Sequence, residues 1–475
     1  MGLFNLRGIY LPIKKTTSGV EISTVNAIDF CNVPLKLKGI AESEPVVHVG
    51  DEVKQGTLIA SPSGKFGINI YSPICGKVLN VFERMNSYGE ICKHILIMND
   101  EREESETLPE MEFVNDASLV ERLKDAGVID TISKMPAYLK YAFVGARSYR
   151  TVLIMMDSTD PNNTINQTLA EQKMEEVVNG AKYFMNMTSA QYVTFVFTEA
   201  NYKLATKLKK HIQETKKNYD FRIKFIPNRY PYDNPYMVAK KVCKKKITAK
   251  NSFLDAGITI ESAEACYDFC KAVEFGRPVT SKVITVDGDN VVRKGNYIVP
   301  NGTSYEKLLN FVGVEDEKEA VRLIDGNILS GEAQYNKEIS ISLMTNTIVL
   351  NKYDVLESKK EYPCISCGKC TAVCPAKLNP TLIEEYYLSE KYDMVYKLNV
   401  HSCMECGCCS YVCPAKRFLT QRIKAAKFYD KKNRGAKYWR ILLFQVRHIN
   451  IAATILIKCF YIWLLRLLFL LCFQL

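Results

Sequence analysis

The chain has no recognisable export leader and no clean membrane span. Its start, Met1-Gly2-Leu3-Phe4-Asn5-Leu6, does not read as a signal peptide. Leu6 stands where a myristoylation signal would want Ser or Thr. No charge-free apolar run reaches the ~20 residues that cross a bilayer. Acid is missing from one region: from residue 415 to the end, Asp430 alone faces 13 Lys or Arg. The net charge of +11 therefore sits in the tail, because the first 414 residues hold 50 basic and 51 acidic side chains. A near-neutral body excludes a general nucleic-acid surface and points to a local partner of the tail. Composition does not suggest disorder, with 47% hydrophobic and 24% charged residues, and 475 residues leave room for two to four domains.

Cysteine is abundant, at 17 residues. A thiol-rich chain without export belongs in a reducing compartment, so disulfides are not expected. Eight cysteines form two runs, Cys364-x2-Cys367-x2-Cys370-x3-Cys374-Pro375 and, 28 residues on, Cys403-x2-Cys406-x2-Cys409-x3-Cys413-Pro414. This is the bacterial ferredoxin spacing, in which the fourth cysteine of each run ligates the other cluster. Cys364, Cys367, Cys370 and Cys413 are thus expected to hold one 4Fe–4S cluster, and Cys403, Cys406, Cys409 and Cys374 a second. Paired zinc sites are the alternative, but zinc needs neither the third cysteine nor Cys-Pro. Cys408 is spare and reads as a packing residue, and His401 as a loop residue.

Upstream of the runs, Val33-Pro34-Leu35 looks like a strand entering a sheet. Residues 44–98 carry repeated strand and Gly turn patterns, at Val49-Gly50-Asp51, Gln55-Gly56 and Cys75-Gly76. They resemble the barrel-sandwich hybrid of lipoyl and biotinyl carriers. The carrier lysine is not matched, since Lys65 lies between Gly64 and Phe66, so the unit is read as structural. Residues 100–112 are acidic and polar and suggest a linker. Strand patterns at 151–156, 192–197 and 221–226 alternate with helical ones at 117–126, 169–187 and 202–217, which argues a Rossmann-like α/β domain. Strand patterns at 283–288 and 296–303, then a short helix to Val312, look like a β-grasp, soluble-ligand-binding (SLBB-like) module.

The order of these parts, with Gly8-Ile9-Tyr10-Leu11-Pro12 at the start and Lys424-Ala425-Ala426-Lys427 after the second run, resembles RnfC. That family supplies a peripheral subunit of the Rnf ion-translocating ferredoxin:NAD oxidoreductase complex. The resemblance covers roughly residues 1–430 and implies five parts. These are an N-terminal barrel-sandwich domain (1–99), a Rossmann-like α/β domain (113–280), a β-grasp module (281–350), a dicluster ferredoxin-like domain (355–428) and a tail (429–475).

Family members that use NAD carry a G-x-G-G-x-x-F-P loop near the position of residues 138–150. Here only Gly145 remains, and a phosphate cradle needs several glycines for close backbone approach. Asp157 to Asn163 replaces the family's Asn-Gly-x-Glu stretch, and Asp325-Gly326-Asn327 replaces Gly-Gly-Pro. These departures put FMN and NAD binding in doubt. Arg147 and Arg150 are candidate phosphate ligands, although exposed arginines are mostly just solvated.

Residues 416–440 read as a basic helix and 441–475 as apolar, interrupted by Arg447, Lys458 and Arg466. The tail is expected to anchor on a membrane or on partner subunits, with Trp463 near the interface. Its basic flank places the body on the cytoplasmic face of the bacterial membrane. The expected function is a two-cluster electron-relay subunit working with other subunits of an Rnf-type complex or with a ferredoxin or reductase. Three alternatives are a flavin-dependent NADH dehydrogenase subunit with a diverged loop, a carrier for a soluble reductase, and a docking scaffold. Charge near the runs (Lys369 and Lys377 against Glu405) leads to the expectation that the first cluster is the easier to reduce.

Overall fold

The computed structural model describes residues 7–429 apart from 12–14, 27, 65, 113, 143–147, 216–217, 248–250, 317–320 and 353–359. Lys65, Arg147 and the whole apolar tail from residue 430 lie outside the described residues. The chain divides into two compact units, Met1–Lys360 and Glu361–Leu475.

The first unit begins with two small antiparallel sheets. One orders the strands Phe30–Pro34, Ile91–Asn99, Gly76–Met85 and Glu52–Val53, and the other Ser43–Pro45, Leu58–Pro62 and Ile70–Tyr71. Val33, Leu35, Ile59, Ile70, Val78, Ile95 and Ile97 fill the space they enclose, each at 1% exposure or less. Gly76 closes one end, because a Cβ there would meet the Met98 carbonyl oxygen at 1.8 Å.

A four-stranded parallel sheet follows, ordered Phe221–Ile226, Tyr192–Thr198, Thr151–Met155 and Ile258–Ser262. The run Thr-Val-Leu-Ile-Met is buried at every position, as a central strand covered on both faces must be. The strand Phe221–Ile226 at the sheet's edge alternates half-buried and exposed residues instead. The expected helix over 169–187 is two helices, Ile165–Gln172 and Met174–Thr188, broken at Lys173. The strand Ile258–Ser262 and the helix Ala263–Phe275 had no counterpart in the sequence pattern. That helix buries Glu264 against Lys282, so its inner face is partly polar and hides its period.

A six-stranded mixed sheet then orders Ser23–Thr24, Gly295–Pro300, Ser281–Asp287, Thr347–Lys352, Val321–Asp325 and Glu332–Gln334. Ser23–Thr24 pairs with Tyr297 and Ile298, so an N-terminal segment completes a sheet built 274 residues later. The acidic stretch 100–112 is not a free linker. Glu106 N donates to Gln55 O (2.7 Å) and Leu108 N to Gly276 O (2.7 Å). The sequence divisions at 99/113 and 280/281 thus fall inside one compact unit.

The second unit is helical, with Lys369–Val373, Pro380–Leu388, Tyr392–Lys397, Cys408–Tyr411 and a helical stretch from 419 to 429. Ile383, Val395, Val400, Ile423 and Ala426 form its small core. Among the described residues no helix is long and apolar enough to cross a membrane.

Candidate metal centre

The two cysteine runs fold as repeats of one another. Ser366 and Gly368 in the first, and Glu405 and Gly407 in the second, all have positive φ. These left-handed residues turn each loop so that a backbone N–H points back at the leading thiol. Ser366 N lies 3.4 Å from Cys364 Sγ, and Glu405 N 3.4 Å from Cys403 Sγ. A short helix then carries the third cysteine of each run. After Cys-Pro-Ala, Lys377 and Lys416 again take positive φ, and Leu378 N donates to Cys374 Sγ (3.3 Å). In the first half, Pro380 starts the next helix where its missing N–H costs nothing, with Asn379 as the cap.

Cys364, Cys367, Cys370 and Cys413 line one cavity of about 220 Å³. Three come from one run and the fourth from the other. The four thiols surround a space of that size, which suits a body larger than a single ion. Cys374 lies on the other side of this exchange, in the small core with Cys403 and Cys409 packed against it. Burial pushes the Cys403 thiol up to about 12, and the nearby Cys406 and Cys409 add to the rise. Burial likewise pushes Cys409 up to about 11, opposed by the Thr420 hydroxyl and helped by Cys406 and Cys374. The electrostatic neighbours of Cys409 thus include Cys374 of the first run.

The spare Cys408 is 1% exposed, and its proximity to Cys406 raises the Cys408 thiol and holds Cys406 below the usual thiol range. Sequence reasoning also missed what clamps the repeats. Buried Glu384 accepts from Arg417 Nε (2.7 Å) and from Arg422, and Arg422 Nη2 also donates to Glu361 (2.6 Å). This network joins the segment entering the first run, the helix Pro380–Leu388 and the stretch after the second run.

In the parallel sheet, ligands of open α/β folds bind beyond the carboxyl ends of the strands. Arg150 stands at the opposite end, exposed, just before the strand Thr151–Met155. The carboxyl end holds Asp157, Asp160 and Asp233. Asp157 accepts from Thr198 N, Thr198 Oγ1 and Asn201. Asp233 accepts from Ser158 and Thr159. Burial pushes the Asp160 carboxyl up to about 6. Lys15 fills the space among them, its Nζ donating to Ser158 O (2.5 Å) and Asn163 O (2.9 Å). The Lys15 side chain is only partly covered, but its ammonium end is enclosed and its pKa is lowered by burial against the pull of the three aspartates.

The described part of the loop 138–150 is held by side chains. Tyr138 OH donates to Gly67 O, Tyr149 OH to Lys140 O, and Tyr141 OH to Glu261. Lys140 Nζ bridges Asp130 (2.7 Å) and Glu261 (2.9 Å). A second cavity of about 200 Å³ brings Asp160 together with Asp325, Gly326 and Asn327, two of the three stretches that depart from the resembled family. Glu332, Lys38 and Lys134 share its wall. Asp160 and Asp325 oppose an anion in this cavity, whereas Lys38 and Lys134 on its wall favour one.

A model of the RnfC barrel sandwich hybrid domain matches residues 5–102, one of the Nuo51 FMN-binding domain residues 123–270, and one of the 4Fe–4S dicluster domain residues 357–414. The chain is 28% identical over 376 residues to a subunit of the proton-translocating ferredoxin:NAD(+) oxidoreductase complex of Clostridium ljungdahlii, covering 78% of this chain and 81% of that protein. It is 27% identical to the corresponding subunit of the ion-translocating oxidoreductase complex of Rhodobacter capsulatus, covering 79% and 74%. Its match to the same subunit from Erwinia tasmaniensis, 25% identical over 80% of this chain, spans 47% of that protein, about half its length. Among solved structures, the NAD+-reducing NiFe-hydrogenase in the H2-reduced state gives a TM-score of 0.48 at 12% identity, covering 66% of this chain and 63% of that one.

Proposed function

We propose that this chain, which resembles RnfC subunits and carries a 4Fe–4S dicluster domain, is an iron–sulfur electron-transfer subunit that relays electrons through two clusters within a membrane-associated ion-translocating complex. Cys364, Cys367, Cys370 and Cys413 hold the first cluster, and Cys403, Cys406, Cys409 and Cys374 the second. The observation that carries this reading is the cavity whose wall takes Cys413 from the second run and three thiols from the first. Each cluster, when bound, accepts and returns single electrons at a low potential. The chain's own part is to aim backbone N–H groups at the sulfurs, to limit water at the second site and to set the local charge.

The partners are other subunits of the complex, through which electrons enter and leave. The α/β region keeps the layout of an FMN-binding domain without a phosphate cradle among its described residues, and serves as a docking body. The five sequence divisions, the Rossmann-like and β-grasp assignments, the tail as anchor and the cytoplasmic face all belong to this reading. It is supported by the order of the parts and by the basic flank of the tail.

Paired substitutions test the ligand sets on anaerobically purified protein. Cys364→Ala with Cys413→Ala is expected to remove one cluster, because both thiols serve the same site. Cys364→Ala with Cys374→Ala is expected to remove both. Equal iron and sulfide loss in the two variants would sink the crossed assignment.

A further inference from the structure

The two cluster sites share a backbone but differ in charge and exposure. In the first loop the left-handed residue facing the leading thiol is Ser366, and in the second it is Glu405. Cys364 and Cys367 are exposed, whereas Cys403, Cys406 and Cys409 are partly covered and Cys374 is buried. Reduction adds negative charge to a cluster. A carboxylate beside the second site and a drier surrounding both oppose that charge. Alone, they would make the second cluster much the harder to reduce.

The structure places a cation there. Lys427, on the helical stretch 419–429, pairs with Glu405 and sets its Nζ 3.1 Å from the Cys403 carbonyl oxygen. Its side chain is 18% exposed against 36% for Glu405, so the lysine is the more covered of the pair. The repeat runs at an offset of 39 residues, from Cys364 to Cys403. By that offset the position matching Lys427 is Leu388, an exposed apolar residue. Lys369 is exposed at the start of the helix Lys369–Val373. Lys377 follows Cys374, which the crossed ligation gives to the second site, so charge counted along the sequence misplaces it.

We infer that Lys427 tunes the potential of the second cluster. Its ammonium, oriented by Glu405 and the Cys403 carbonyl, stabilises the reduced form and offsets the carboxylate and the burial. This rests on the ligand sets proposed above. The test is an EPR-monitored redox titration of the full chain, as wild type, Lys427→Gln, Lys427→Arg and Glu405→Gln.

Lys427→Gln is expected to lower one midpoint and leave the other in place. Lys427→Arg should return that midpoint toward the wild-type value. Glu405→Gln should raise the same midpoint, because the ammonium is then uncompensated. If Lys427→Gln loses iron, Lys427→Met is titrated in its place: a single lowered midpoint supports the inference, and unmoved midpoints overturn it. Equal shifts of both midpoints in Lys427→Gln also overturn it. Iron and sulfide for fewer than two clusters in the wild type would instead sink the ligand sets, and this is read before any titration.

Discussion

The buried trio Asp130, Lys140 and Glu261 shows how a single residue sets a pH dependence. One ammonium stands between two fully buried carboxylates. Burial pushes Asp130 up, but Lys140 and Ser133 outweigh it and hold the carboxyl below its usual range. Glu261 keeps the weaker share, and burial pushes it up to about 7 from 4.5. The folded chain therefore holds the Glu261 proton more tightly than the unfolded chain does. Its contribution to stability is complete below about 4.5 and is lost as the pH rises through about 7. Glu261→Gln is expected to flatten the thermal-stability profile across that window, and an unchanged slope would count against this account. At the cluster sites, Cys408→Ala should keep the full iron content and Cys409→Ala should lose one cluster. That Cys364, Cys367, Cys370 and Cys413 line one cavity was readable from spacing, because a small loop converts spacing directly into convergence. Lys427 was not, because it lies 18 residues after Cys409.

At the scale of elements, two contacts carry measurable energy. Gly180 sits inside the helix Met174–Thr188 where it crosses Ala263–Phe275, and a Cβ there would lie 1.9 Å from the Cys266 carbonyl oxygen. Alanine usually suits a helix better than glycine, yet here overpacking should prevail. Gly180→Ala is expected to destabilise the first unit by about 1–3 kcal/mol, read by denaturant unfolding. In the second unit Arg422→Ala would leave Glu384, at 2% side-chain exposure, with less compensation. The expected cost is on the order of 3 kcal/mol, seen as a lower melting temperature and faster loss of iron. The strands at 151–155 and 192–198 were legible because buried parallel strands read as apolar runs. The helix break at Lys173 was not, since amphipathic spacing continues across it.

For the whole molecule, the expected cofactor content is two 4Fe–4S clusters and no stoichiometric flavin. Retained FMN with NADH-dependent cluster reduction would overturn the reading of the α/β region and favour the flavin-dependent alternative. Deleting residues 430–475 should leave the iron content unchanged and release the protein from the membrane fraction, and persistence there would locate the anchor elsewhere.

The sequence by itself determined the cluster type, the order of the parts and the loss of a glycine-rich cradle. Each depends on residue identity and short spacing, which survive any rearrangement of the chain at long range. Only the tertiary structure decided which groups gather at the carboxyl end of the parallel sheet. Lys15 reaches Ser158 and Asn163 across more than 140 residues, and Ser23–Thr24 joins a strand at 297. Such contacts leave no periodic trace, because a buried ammonium or a two-residue strand is fixed by what surrounds it and not by its neighbours in sequence.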